Sequence, residues 1–145
     1  MTAMTHTDLR AFVDRYVKAQ HRRDPAELAT FHSVDGIVES PMYGTLVGRA
    51  AIEEAYRAFY KSFPDASFEL EDMILEPPNM AVFATVTATH VNEFFGLPGT
   101  NRRIDFRGAR LVQLDGDLIV RERRIYDFTG ILVQVGVLRA KPAKP

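Results

Sequence analysis

The sequence predicts an α+β fold in which three helices precede a mostly antiparallel sheet. In the first half of the chain, apolar residues recur at the spacing of a helix face in three separate segments. From Ser67 onwards, apolar residues alternate with polar ones, as they do in strands. Asp115-Gly116 lies between two alternating segments and is typical of a tight β-hairpin. Helices followed by antiparallel strands indicate a sheet with the helices packed on one face.

Each helix has a recognisable boundary. The first is predicted over residues 7–22. Its apolar stripe comprises Leu9, Phe12, Val13, Tyr16 and Val17. Asp24 is expected to cap a short second helix whose first residue is Pro25. The apolar stripe of the third helix begins at Ile52, and Pro64 ends this helix.

Five strands are expected, one between the helices and four after them. The first is a brief strand over residues 36–39 that ends at Pro41. Proline, glycine and asparagine clusters divide the second half into strands near 66–76, 80–94, 102–114 and 117–127. We expect a single domain over residues 1–138, followed by a basic, proline-rich tail over residues 139–145 that is flexible.

The composition excludes several classes of site. The chain has no cysteine, which removes disulfides, thiolate nucleophiles and cysteine-ligated metals. Its 18 Lys and Arg residues against 19 Asp and Glu give a net charge of −1, without the basic field that binds nucleic acid. The 4 histidines lack metal-ligand spacing, so we expect no metal and no organic cofactor. With no apolar run of about 18 residues and no signal-peptide pattern, we expect a cytoplasmic protein without a membrane partner.

Sequence patterns along almost the whole chain resemble two related enzyme families. The first third carries residues 15–19 (RYVKA), Asp24, Phe31 and residues 38–41 (VESP). This part resembles bacterial ketosteroid isomerases. The second half carries residues 89–100 (THVNEFFGLPGT), 103–108 (RIDFRG), 126–128 (YDF) and 132–136 (LVQVG). This part resembles SnoaL-type polyketide cyclases.

The resemblance implies a particular α+β architecture. Both families belong to the nuclear-transport-factor-2-like superfamily, whose domain is cone-shaped. The implied fold is a curved, mostly antiparallel sheet with three helices on its concave face. This scaffold carries isomerases, cyclases, hydrolases and plain binding proteins, so the fold alone does not define an activity.

The resemblance to SnoaL-type cyclases implies catalytic roles for Asp127 and His90. Asp127 matches the general acid/base that removes a proton next to a carbonyl, a task for which a partly dry site must raise its basicity. His90 matches a histidine that orients the carbonyl or relays a proton. The alternatives are that Asp127 caps the segment after the last strand, and that His90 is a half-buried histidine bonded to a backbone carbonyl.

The resemblance to ketosteroid isomerases implies an oxyanion hole made by Tyr16 and a protonated Asp105. Arg103 and Arg107 flank Asp105 on the same strand face, and they would instead hold it as a salt-bridged carboxylate. Tyr16 alternatively packs as a core tyrosine. Ser40 stands where these isomerases carry their base, so steroid isomerisation by that arrangement is not expected.

Further residues are expected to contact the ligand. An apolar wall is predicted from Phe12, Phe31, Tyr56, Phe59 and Phe63, with Ser40 and Arg107 as polar contacts. In residues 121–124 (RERR), Arg121 and Arg123 share the strand face of Asp127. Glu122 and Arg124 share the opposite face with Tyr126. If the interior lies on the Asp127 side, one arginine could bind an acidic group of the ligand. Otherwise the block is solvated or lies in a dimer interface.

These residues together predict a small cofactor-independent SnoaL-like enzyme that does acid–base chemistry on an apolar, carbonyl-containing ligand. An epoxide hydrolase or dehydratase would instead use Asp105 and Asp127 bridged by an arginine, since residues 103–105 (RID) resemble a step of limonene-type epoxide hydrolases. A non-catalytic binding or dimerisation module would fill the cone with its own aromatics. A cavity of at least about 300 Å³ with Asp127 exposed to it separates the enzymes from that module.

A homodimer is also expected from the sequence. Helices that cover only one face of a curved sheet leave its outer face in need of protection. The candidate contact residues are Val112, Leu114 and Val120.

Overall fold

The computed structural model describes residues 3–139 and 141–145, and within them it has four helices and one six-stranded sheet. The helices are α1 (His6–Arg22), α2 (Pro25–Ala29), α3 (Arg49–Ser62) and α4 (Phe128–Val135). The strands are β1 (His32–Ser40), β2 (Gly44–Val47), β3 (Ser67–Glu76), β4 (Asn79–Thr89), β5 (Arg103–Asp115) and β6 (Leu118–Tyr126). The predicted α+β class is confirmed. Residue 140 of the predicted tail lies outside the described residues.

The sheet is mostly antiparallel, as predicted. Its strand order is β2-β1-β6-β5-β4-β3, and only β1 and β6 pair in parallel. The predicted hairpin at Asp115-Gly116 joins β5 to β6, and Gly116 has a φ of 60° there. We call the sheet face that packs against α1 and α3 the inner face and the opposite one the outer face.

Capping residues set the start of the first two helices. Thr5 caps α1, where its side chain and that of Asp8 each accept from the other's backbone N–H. The Asp24 carboxylate accepts from the backbone N–H groups of Ala26 and Glu27 at the start of α2. Hydrogen bonds between neighbouring residues therefore fix where α1 and α2 begin.

The sequence prediction lacks β2 and α4. β2 is only four residues long and lies at the sheet edge, where Gly44, with a φ of 73°, turns the chain after β1. α4 follows β6 directly, so the structure has a fourth helix beyond the three predicted ones. It buries Ile131 and Val135 and packs beside β5.

The second long strand ends earlier than predicted. β4 stops at Thr89, and residues 90–101 form a loop in which Asn101 has a φ of 57°. Gly99 allows this loop to close, because a side chain there would collide with the Val91 carbonyl. The loop covers one end of the core.

The hydrophobic core lies between the helices and the inner face. Its largest fully buried apolar side chains include Leu9, Phe12, Ile52, Phe63, Ile104 and Ile119. None of the helices in the described ranges has both the length and the hydrophobicity that a membrane span requires.

The expected dimer contact at Val112 and Leu114 is wrong, because both side chains belong to the core and are only 2% and 3% exposed. The outer face exposes other apolar side chains, with Ile125 at 70%, Leu111 at 49% and Phe83 at 40%. Phe83 and Ile125 lie in one row across β4, β5 and β6, and Leu111 lies in the next row. A patch of this kind on one sheet face favours contact with a second copy of the chain.

We expect the protein to form a homodimer through this patch, and Ile125→Arg to make it a monomer, since a two-fold interface would bury both arginines without partners. Analytical ultracentrifugation at micromolar concentration measures the change. Val34→Arg is the control, because Val34 is similarly exposed but lies on β1. A wild-type monomer, or an Ile125→Arg dimer, would contradict the prediction.

Candidate active site

An apolar cavity lies between α3 and the inner face of the sheet. It holds about 690 Å³ of empty space, including the part at its mouth that is open to solvent. The apolar lining includes Tyr56, Phe59, Phe68, Val86, Phe106 and Tyr126. Ala84 and Gly108 are paired across β4 and β5, and their small size leaves room above the sheet. The aromatic side chains therefore leave a gap in the cone, but the space open to the centres of water-sized molecules is only about 70 Å³, below the roughly 300 Å³ expected of a ligand site.

A second cavity lies under α1, where Phe12, Tyr16 and Gln20 border it, and its empty space is about 500 Å³ when the part open to solvent is included. The two cavities share part of their lining, including Phe68 and Arg110. The Arg110 guanidinium lies 5.4 Å from the centre of the Phe68 ring. Arg110 is therefore within reach of a ligand in either cavity.

Five polar side chains that are fully or mostly buried form a cluster at these cavities, which we call the arginine–tyrosine cluster: Tyr16, Tyr56, Arg110, Glu122 and Arg124. The hydroxyl oxygens of the two tyrosines are 2.6 Å apart. Arg110 donates to the Tyr16 hydroxyl at 3.0 Å, and Arg124 donates to the Tyr56 hydroxyl at 3.1 Å. Arg124 also donates to the Glu122 carboxylate, while Arg110 lies 3.9 Å from it. The cluster is thus a continuous hydrogen-bonded network.

Strand register explains why these charges meet. Arg110 on β5 stands directly opposite Arg124 on β6, an arrangement in which like charges repel. Glu122 precedes Arg124 by two residues and so points to the same inner face. Its carboxylate pairs with both arginines and reduces their repulsion.

The protonation states follow from burial and from these neighbours. Burial alone would raise the pKa of Glu122, but Arg124 and Arg110, helped by His32, lower it to about 2. Burial likewise disfavours the charged form of Arg124, yet Glu122 and the tyrosines raise its pKa well above its ordinary value. Burial raises the pKa of Tyr16 well above its ordinary value. At neutral pH Glu122 and Arg124 are therefore ionised, and Tyr16 is protonated, so its hydroxyl can donate a hydrogen bond.

His32 lies next to this cluster and is not among the residues predicted from the sequence. The side chain is fully buried, its ring centre is 6.2 Å from that of Tyr56, and neither ring nitrogen has a hydrogen-bond partner among the described residues. Burial lowers its pKa to about 4, so it is neutral at pH 7. No group of three or more His, Asp or Glu side chains within the described ranges is placed to hold a metal ion.

Tyr16 is the one predicted catalytic residue that lies in the cluster. Its partners are Tyr56 and Arg110, not Asp105 as the isomerase resemblance implies. Asp105 is exposed on the outer face, where its backbone N–H donates to Gln134 at 2.7 Å. The expected pairing of Tyr16 with Asp105 is therefore absent from the described structure.

Asp127 also lies away from the apolar cavity. It is exposed and caps α4, where its carboxylate accepts from the backbone N–H of Gly130 at 2.8 Å. Asp105, Arg107 and Asp127 border one open groove beside α4 on the outer side of β5. The expected arrangement, a cavity of at least about 300 Å³ with Asp127 exposed to it, is therefore not observed in the described structure.

The arginines beside Asp105 do not bind its carboxylate. Arg103 pairs with Asp65 at 3.2 Å, and Arg107 lies 3.7 Å from Glu71. The expected salt bridge from Arg103 through Asp105 to Arg107 is thus not formed. The bridged carboxylate pair that an epoxide hydrolase or dehydratase would need is not assembled either.

His90 is fully buried behind the cavities and does not border them. Its Nδ1 is 2.9 Å from the Thr100 hydroxyl, whereas the alternative to a catalytic role was a bond to a backbone carbonyl. Its ring packs between Phe63, 5.8 Å away, and Phe94, 6.1 Å away. This position ties the loop over residues 90–101 to the core, and no hydrogen bond joins His90 to Asp127 in the described structure.

The other predicted contact residues divide between the cavities and the core, apart from Arg107, which is exposed on the outer face and contacts neither cavity. Tyr56 and Phe59 line the first cavity, and Phe12 lines the second. Phe31 packs against Phe12 and Tyr16, while Phe63 is fully buried. Ser40 is buried behind the cavity mouth, where its hydroxyl is 3.1 Å from that of Tyr126 and accepts from the backbone of Met42.

The side chains of residues 121–124 on β6 point alternately to the outer and inner faces of the sheet, as strand alternation predicts. Arg121 and Arg123 lie on the outer face and pair with Glu39 at 2.8 and 3.1 Å. Arg124 faces inward with Tyr126. The interior therefore lies on the Tyr126 side of the strand, not on the Asp127 side.

A sheet of this order, with helices that enclose an apolar cavity on its inner face, defines a nuclear-transport-factor-2-like protein. The family model for SnoaL-like polyketide cyclases matches residues 10–135, and the chain belongs to this family. No sequence among the curated proteins matches this chain.

Several solved structures share the fold. AclR from Streptomyces galilaeus is 24% identical, has a TM-score of 0.81, and the match covers 93% of this chain and 100% of AclR. TsrD from Streptomyces laurentii is 18% identical, has a TM-score of 0.79, and the match covers 93% of this chain and 99% of TsrD. IdmH from Streptomyces antibioticus is 21% identical, has a TM-score of 0.74, and the match covers 88% of this chain and 97% of IdmH.

Proposed function

We propose that the protein is a cytoplasmic, cofactor-independent enzyme that carries out acid–base chemistry of the cyclase or isomerase type on an apolar, carbonyl-containing ligand. The observation that carries this proposal is a pair of adjoining apolar cavities whose walls together contain the arginine–tyrosine cluster. Membership of the SnoaL-like polyketide cyclase family supports the same class of chemistry.

In this proposal, the cluster binds the carbonyl oxygen of the ligand. Tyr56 and Arg124 border the first cavity, and Tyr16 supports Tyr56 through their short hydroxyl contact. Removing a proton next to a carbonyl places negative charge on the oxygen, and fixed donors in a dry site stabilise that charge as it forms. The cluster provides such donors without having to reorganise.

Glu122 is the proposed proton acceptor, because it borders the second cavity and is the one carboxylate in the lining of either cavity within the described part of the chain. Its Oε1 is buried and has no hydrogen-bond partner among the described residues. With a pKa of about 2 it is a weak base. It therefore suits a carbon flanked by two carbonyls, whose enolate the neighbouring arginines stabilise. Asp127, the general base that the resemblance implies, caps α4 outside the apolar cavity, so Glu122 is proposed in its place.

Deuterium exchange at the central carbon of an aromatic 1,3-diketone, followed by NMR, tests both assignments. Glu122→Gln is expected to lower kcat by about 10²–10⁴, the usual contribution of a positioned base. Asp127→Asn is the matched variant and is expected to stay within about twofold of wild type, because asparagine also caps a helix. If Asp127→Asn lost deuterium exchange and Glu122→Gln kept it in full, Asp127 would be the general base instead of Glu122.

A further inference from the structure

The walls of the two cavities have an excess of positive charge. Among the described residues that border them, Arg110, Arg124 and Glu122 are the ionised ones at neutral pH. Two cations therefore face one anion in an otherwise apolar space. A buried charge without a partner is costly, so a bound anion would be strongly favoured there.

Both guanidinium groups have N–H groups left for a ligand. A guanidinium has five N–H donors in a planar fork that matches a carboxylate. In the described structure Arg110 uses one nitrogen, for Tyr16, and Arg124 uses two, for Glu122 and Tyr56. The pair can thus hold an anion without giving up these bonds.

We propose that the ligand of this cavity carries a carboxylate on an apolar, aromatic body, and that Arg110 and Arg124 bind that carboxylate. This inference rests on the proposed function, because it names the ligand class for the same cavity. Aromatic side chains on α3, β3 and β5 surround the apolar body. The bound anion also reduces the field of the arginines at Glu122, which makes Glu122 a stronger base in the complex.

A pair of probes with the same shape and different charge tests the proposal. 2-Naphthoate carries the carboxylate, and 2-naphthamide replaces it with a neutral amide. The chain has no tryptophan, so the naphthalene fluorescence reports binding with little protein background. Wild type is expected to bind the carboxylate at least about tenfold more tightly than the amide, because hydrogen bonds between charged groups are stronger than those to a neutral amide.

Two variants, one that removes a positive charge and one that removes a negative charge, then separate recognition of the carboxylate from effects on folding. Arg110→Gln makes the cavity walls neutral and is expected to remove the preference for the carboxylate. Glu122→Gln leaves two cations and is expected to tighten carboxylate binding by about tenfold. The amide affinity is expected to change less than about threefold in both variants. Arg123→Gln, on the outer face, is the matched control and should bind both probes like wild type.

Three results would overturn the inference. They are equal wild-type affinity for the two probes, tighter binding of the amide, and no binding of either probe at millimolar concentration. Should a variant not fold, the comparison of probes on wild type still decides the matter. Deuterium exchange with a neutral diketone separates the two proposals, because exchange without carboxylate preference leaves the proposed function intact.

Discussion

Replacing Arg124 with leucine is expected to lower the free energy of unfolding by about 3–5 kcal/mol. Arg124 is the closest partner of the fully buried Glu122 carboxylate, and it also holds the Tyr56 hydroxyl. Removing it leaves Glu122 with Arg110 alone, at 3.9 Å. An ionised carboxylate that loses its main partner in an apolar interior is among the costliest single defects a fold can carry.

Urea denaturation followed by circular dichroism measures this loss. The double variant Arg124→Leu/Glu122→Leu is expected to recover most of it, because replacing both partners of a buried pair removes the uncompensated charge. Arg123→Leu is the matched control on the same strand, and it should change stability by no more than about 0.5 kcal/mol. An Arg124→Leu effect as small as that of the control would contradict the assigned burial of the pair.

The pH dependence of stability has a defined sign. The pKa of Glu122 is lowered from 4.5 to about 2 on folding, chiefly by Arg124 and Arg110 acting against burial. Its contribution is therefore fully present above the unfolded pKa and is lost as pH falls through the folded pKa. Wild type should lose stability between about pH 5 and pH 2 from this group. Arg124→Leu should lose less over that interval, because its Glu122 pKa is less depressed.

Local sequence signals predicted most of the fold. The Asp24-Pro25 cap and the Asp115-Gly116 hairpin each depend on a few neighbouring residues, and both occur as expected. The short α4 was missed because its eight residues are apolar on nearly every side and show little helical periodicity. The alternative role for Asp127, a cap on the segment after β6, is the contact observed.

The candidate site was harder to predict, because alternation fixes which residues share a strand face but not which face is inside. The pattern of β6 correctly grouped Arg124 with Tyr126, and the resemblance to SnoaL-type cyclases drew attention to Asp127 on the opposite face. The strand that settles the choice is β5. Arg110, Val112 and Leu114 are two residues apart along that strand, so their side chains share one face. Because Val112 and Leu114 are buried, that face is the inner one and Arg110 points towards the core.

Tyr56→Phe is expected to lower kcat for deuterium exchange by about 10²–10³, the usual cost of losing one donor to a developing oxyanion. The Tyr56 hydroxyl joins Arg124 to Tyr16, so its loss removes a donor at the cavity wall and separates the two halves of the cluster. The ring itself stays, so the apolar wall and KM should change little. A decrease in kcat at constant KM indicates an interaction made mainly in the transition state.

Tyr60→Phe provides the matched control for this prediction. Tyr60 lies on the same helix and is also buried, but its hydroxyl has no hydrogen-bond partner among the described residues. Removing that hydroxyl should leave kcat unchanged, and it should leave stability equal or higher, since an unpartnered buried polar group is costly. Equal kcat values for Tyr56→Phe and wild type would show that the arginine–tyrosine cluster supports the cavity wall without stabilising charge on the ligand.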